Sequence, residues 1–183
     1  MICGLIILLV GFMSIGATIV INGPRIPAAG GGGPDVWYYA GSGKGDTSYT
    51  TLGEGWEPHL NAYGGSISVA SGGTCTSISA KVRADTGTIA WKIALYDSDN
   101  NLLASGTFNS TTTAQWYDVT INQSVSSGTY KVMYSCSTSL GNIYRDSDQS
   151  GLEDAVTYSA FPESTLSAST STNNLYGVRM YVD

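Results

Sequence analysis

Few residues in this chain could carry chemistry, and they are scattered. The single histidine is His59, in the run Glu54-Gly55-Trp56-Glu57-Pro58-His59. A Ser-His-Asp device would have to use it, yet no G-x-S-x-G elbow accompanies it. A lone loop imidazole more often serves structure. A glycosidase needs two facing carboxyl groups about 5–10 Å apart. Glu54, Glu57, Glu153 and Glu163 are the candidates, but the sequence sets no two of them face to face. Each reads equally well as a solvated loop carboxylate. The expectation is a protein that is not an enzyme.

One run has the alternation of a cation loop. Asp146, Asp148 and Ser150 stand at alternate positions before Gly151, as in the first half of a Ca²⁺ loop. The twelfth position is Thr157, where a bidentate Glu belongs, so Asp154 would have to complete the site in a different loop geometry. The competing reading is a polar turn. No cofactor is required, and Ca²⁺ is the one metal the run allows. Asp97, Asp99 and Asn101 form a weaker copy, better explained by hairpin chemistry.

Of three cysteines, Cys3 lies in an apolar leading stretch and leaves Cys75 and Cys136 as an even pair. In an exported chain the pair predicts one disulfide, worth about 2–4 kcal/mol for a loop of this size. The alternative is two buried thiols. Two isolated cysteines and one distant histidine lack the spacing of a zinc site. Asn109-Ser-Thr and Asn122-Gln-Ser are N-glycosylation triplets near strand ends, although such triplets arise by chance in a chain rich in Ser and Thr.

The tryptophans offer binding chemistry, because a flat aromatic face stacks on the apolar face of a pyranose. Trp91 shares a face with Ile89 and Ile93 and belongs to the core. Trp116 lies opposite Tyr117, Val119 and Ile121, and Trp37 and Trp56 sit in edge or loop settings. Trp56 and Trp116 are therefore the carbohydrate-binding candidates. Core packing is the default for any Trp.

The elements that must position these residues read as strands. Charged residues are only 12% of the 183, while Gly, Ser, Thr and Tyr are plentiful. Ile78, Ala80 and Val82 alternate with Ser79, Lys81 and Arg83, and Ile89, Trp91, Ile93 and Leu95 alternate with Lys92 and Tyr96. A period of two marks a half-buried strand. Asp97 to Asn101 then supplies a turn before Leu102 to Phe108. Tyr117, Val119 and Ile121, then Tyr130, Val132 and Tyr134, then Tyr176, Val178, Met180 and Val182 repeat the pattern. Weaker strands fall at 36–40, 48–52 and 66–70. The fold class is all-β: an antiparallel, jelly-roll-like sandwich of about eight strands over residues 35–183.

Before it, residues 22–34 read NGPRIPAAGGGGP, a Gly/Pro-rich linker. Residues 1–21 carry no charge. They fit a secretory signal, a membrane anchor or a segment that packs into a neighbouring subunit. The β-branched Thr18, Ile19, Val20 and Ile21 suit an added strand in that last case. The net charge of −6, with eight scattered basic residues, argues against nucleic acid. A membrane would be met only through residues 1–21.

The run SISAKVRADTGTIAWKIALYDSDNNLLASGTF, followed by WYDVTINQSVSSGTYKVMYSC, resembles jelly-roll modules of the carbohydrate-binding type found in bacterial surface proteins and phage appendages. The shared feature is a strand ending in Leu-Tyr-Asp, a polar hairpin, and Ser-Gly-Thr-Tyr leading into another strand. It covers roughly residues 66–136. Three functions are open: a structural subunit self-associating into an extracellular filament or surface assembly, a secreted or anchored carbohydrate-binding module or adhesin, and a phage appendage protein. All three place the chain outside the cell or at its surface.

Overall fold

A computed structural model of the chain describes residues 36–41, 48–51, 59–147, 149–171 and 174–183. The described residues form thirteen strands: β1 Val36–Tyr39, β2 Ser48–Thr51, β3 Ala62–Val69, β4 Gly73–Ala84, β5 Ile89–Tyr96, β6 Leu102–Ser110, β7 Gln115–Val125, β8 Gly128–Cys136, β9 Gly141–Ser147, β10 Gly151–Asp154, β11 Ser169–Ser171, β12 Asn174–Tyr176 and β13 Val178–Val182. No helix occurs among these residues. The fold is an antiparallel β-sandwich, with more strands than the alternation alone predicts. The apolar segment 1–21, with Thr18 to Ile21, and the linker 22–34 lie outside the described residues.

Sheet A runs β1-β13-β4-β9-β12, with β7 on the other edge of β4 and β2 added to β9. Sheet B runs β11-β10-β3-β8-β5-β6. The chain changes layer at most of its connections, so the core is built from residues distant in sequence. Ile78, Ala80 and Val82 of β4 and Val178, Met180 and Val182 of β13 face Ile67, Ile93, Leu95 and Val132 of sheet B, all of them buried. Trp91 is fully buried as expected. Its Nε1 donates to Ser110 Oγ at 2.8 Å, and its ring lies parallel to that of Phe108, 6.0 Å away.

Part of the outer face of sheet B is covered. Ala62, Ala94, Tyr96, Met133 and Leu152 form a second apolar cluster with Val156, Phe161 and Leu166 from the segment 155–168. Alternation predicts that Lys92 and Tyr96 share an outer face, and they do, but the segment covers them. The Lys92 ammonium donates to the carbonyls of Tyr158 and Phe161 at 2.7 and 2.6 Å and lies 4.6 Å from the Tyr158 ring centroid. Asp154 Oδ2 accepts the backbone N–H of Ser167 at 3.1 Å. The segment is thus a strap, pinned by a cation and sealed by an apolar underside.

The disulfide expectation is corrected. Cys75 and Cys136 are free, buried thiols. Cys75 lies near the start of β4. The Cys136 sulfur packs against Gly141, which pairs with Ala84 at the far end of that twelve-residue strand. At about 3.3 Å per residue the two positions are on the order of 30 Å apart, far beyond the roughly 4–7 Å that a disulfide allows between Cα atoms. Burial pushes both thiols up from 9.0 to about 12.

Candidate functional site

Side chains of opposite parity to the core residues stand on the outer face of sheet A. Cross-strand pairing sets Trp37 beside Tyr181 and Tyr39 beside Arg179 on β1 and β13. It sets Arg179 beside Ser79 on β4, then Ser79 beside Asp118 and Lys81 beside Trp116 on β7. One row, Tyr39–Arg179–Ser79–Asp118, therefore crosses four strands. Its low point is Ser79, whose small side chain is fully buried although it belongs to the outer face. Larger neighbours lean over it.

Arg179 is the centre of that arrangement. Its guanidinium carbon lies 3.8 Å from the Trp37 ring centroid and 4.4 Å from that of Trp116. Both are well inside the distance at which a cation is attracted to an aromatic face. Nη2 donates to Asp118 Oδ1 at 3.1 Å and Nε donates to Ser79 Oγ at 3.4 Å. The Ser79 hydroxyl donates to the same Asp118 oxygen at 2.6 Å. Tyr181 packs on Trp37 with centroids 5.1 Å apart, and Tyr39 meets Trp116 edge to face at 6.0 Å. Lys81 Nζ lies 5.0 Å from the Tyr144 ring centroid on the same face. Trp37, Tyr39, Trp116 and Tyr181 all remain half-buried.

The arrangement can bind. Rings held in fixed orientations offer contact area at little entropic cost, and a guanidinium offers directional donors.

The sequence candidates fall in different places. Trp116 joins the cluster, while Trp56, Glu54 and Glu57 lie outside the described residues. Asp146 is buried in β9 of sheet A, and Ser150 is exposed before β10. Asp154 is buried in sheet B, where its carboxylate caps Ser167; Asp148 lies outside the described residues. Among the described residues no group of three or more metal-ligating side chains comes together. In the weaker copy, Lys131 Nζ donates to Asn100 Oδ1 and to the Ser98 carbonyl, so a protein cation already fills the turn. The Asn101 N–H donates to the Asp97 carboxylate at 2.8 Å and, with the Asn101 side-chain amide, holds that group below its ordinary range. Asn109 and Asn122 are both exposed, Asn109 one residue from the end of β6 and Asn122 inside β7. His59 accepts the Tyr158 N–H through its carbonyl and so anchors the strap. Glu153 accepts the Tyr176 hydroxyl.

Arg179, Tyr39 and Tyr181 were not singled out by sequence. Alternation put Arg179 on the outer face of its strand, but only the order of strands in the sheet shows that β1, β13, β4 and β7 lie side by side. No family model, curated protein or solved structure matches the chain.

Proposed function

We propose that this domain is a non-catalytic binding module that recognises carbohydrate on the outer face of sheet A and works outside the cell or at its surface. The observation that carries the reading is the pair of half-buried indoles, Trp37 and Trp116, held by Arg179 on one face of an antiparallel sheet. Sugar recognition needs an aromatic surface beside directional donors and acceptors, and Arg179 with Asp118 supplies the second requirement. The resemblance of residues 66–136 to carbohydrate-binding jelly rolls points the same way.

The test is affinity electrophoresis of the full chain through gels containing neutral and acidic polysaccharides. Retardation that falls at least tenfold in Trp116→Ala and Trp37→Ala, with the urea midpoint retained, supports the reading. A chain retarded by no polysaccharide refutes it.

A second reading is a self-associating structural subunit, of a surface filament or a phage appendage. The sheet edges favour it: β6 pairs only with β5, and β7 only with β4, among the described residues. An open edge can accept an added strand, and Thr18 to Ile21 have the β-branched character for one. Removal of residues 1–21 should then leave a monomer by sedimentation, and fibres from the truncated chain would exclude it.

A further inference from the structure

We infer that the ligand of the sheet A face is an acidic polysaccharide whose uronate carboxylate is taken by Arg179. The inference rests on the carbohydrate reading and specifies its substrate class. The chain as a whole is acidic, with a net charge of −6, and an acidic protein repels a polyanion unless it presents a local cationic site. At the aromatic cluster the cation is Arg179, and the described carboxylate it meets is that of Asp118.

The geometry of Arg179 carries the argument further. A guanidinium has five N–H donors. Ser79 takes the one on Nε and Asp118 takes one on Nη2. The two donors of Nη1 and one of Nη2 are left. The side chain is only 14% exposed, so those donors act from a site flanked by two indoles, where a charged hydrogen bond is stronger than in water. A planar fork set among rings matches a planar carboxylate carried on a pyranose, which can lay its ring on the aromatic surface while its acid meets the guanidinium. Asp118, 47% exposed, is the competitor that a ligand carboxylate must outweigh.

Asp118 therefore provides a gain-of-function test. Asp118→Asn keeps an oxygen for Ser79 and for Arg179 Nη2 but removes the competing charge. Arg179→Gln removes the fork, and Arg179→Lys keeps the charge without it. Full-length variants are run against polygalacturonate, dextran sulfate and neutral dextran in affinity gels, with urea midpoints as the folding control. The expected result is binding to polygalacturonate that weakens at least tenfold in Arg179→Gln and several-fold in Arg179→Lys. It should tighten several-fold in Asp118→Asn and fall as NaCl rises from about 50 to 500 mM. Should Arg179→Gln fail to fold, the Asp118→Asn and salt results decide alone. Equal retardation by neutral dextran and polygalacturonate, unaffected by Asp118→Asn, overturns this inference while leaving the carbohydrate reading standing. Tighter binding to dextran sulfate than to polygalacturonate overturns the carboxylate assignment. Retention by none of the three, alongside self-association in sedimentation, overturns both.

Discussion

The two buried thiols should make the stability of this domain fall in mild alkali. In the unfolded chain a cysteine ionises near 9.0, whereas burial raises Cys75 and Cys136 to about 12 in the folded protein. The folded state therefore holds these protons more tightly. Their contribution is complete below about pH 9 and is lost as pH climbs toward 12. Each thiol removes about 1.4 kcal/mol per pH unit inside that window. From pH 8 to 10 the pair together costs about 3 kcal/mol, a large fraction of the roughly 5–15 kcal/mol of a typical domain. Buried Tyr96 and Tyr134, whose hydroxyls are also pushed up by desolvation, add their share mainly above pH 10. Urea unfolding followed by tryptophan fluorescence at pH 8, 9 and 10 measures the slope, and Cys75→Ala/Cys136→Ala isolates the thiols. The double variant should lose most of the pH dependence below pH 10. An unchanged slope, rapid labelling of either thiol in the native protein, or an intact mass lacking two hydrogens would refute the reasoning.

Three further outcomes follow from packing. Trp91→Phe strands the buried Ser110 hydroxyl and leaves a void beside Phe108, costing about 2–4 kcal/mol; Ser110→Ala costs about 1–3 kcal/mol, and a double-mutant cycle in urea should show the two are coupled. Lys92→Met keeps the apolar stem but loses both charge-assisted bonds to the strap, so chymotrypsin should cut at Tyr158 or Phe161 about tenfold to a hundredfold faster, from roughly 1.5–3 kcal/mol of local stability. Gly64→Ala would set a Cβ 1.9 Å from the Val132 carbonyl oxygen and 2.8 Å from Met133 Cα, both backbone atoms, so soluble expression should collapse, while Gly87→Ala, with nothing near its Cβ but a φ of +64°, should cost only the roughly 1–2 kcal/mol of a left-handed alanine.

What the sequence disclosed and withheld divides along a physical line. Strands with one wet and one dry face announced themselves: β4, β5, β7, β8 and β13 each carry several core residues at alternate positions. Strands held by position in the sheet did not. β9, reading GNIYRDS, is polar at most positions, yet it pairs with β4, β2 and β12. β10 is only four residues long and is fixed by β3 and β11. The Gly64-Gly65 pair hides the start of β3, because glycine reads as a turn. Here it is the residue that lets β8 approach: Gly64 pairs with Met133, and no side chain fits between them. Tyr96 looked like a solvent-side residue because the strap covering it comes from a segment more than fifty positions later, with no periodicity of its own. The cysteine arithmetic failed for a related reason. An even number of thiols says nothing about which ends of the sandwich they occupy.

The site follows the same logic one level up. Trp116, Arg179 and Trp37 could each be assigned to an exposed or edge position from their own strands, but their meeting depends on β13 lying between β1 and β4, with β7 beyond. It depends equally on a residue with no apparent role, Ser79. A bulky side chain at that position would fill the low point of the row and lift Arg179 away from Asp118. Serine instead provides both the space and a hydroxyl that bonds to each of them. Ser79→Leu should therefore separate site from fold. The variant keeps the inward Ile78 and Ala80 and so the core, while losing the indole–guanidinium stack. Its signature would be a shifted Trp116 fluorescence and weakened polygalacturonate binding at a urea midpoint close to that of the parent. A midpoint that drops together with binding would mean that the Ser79 row is part of what holds sheet A together.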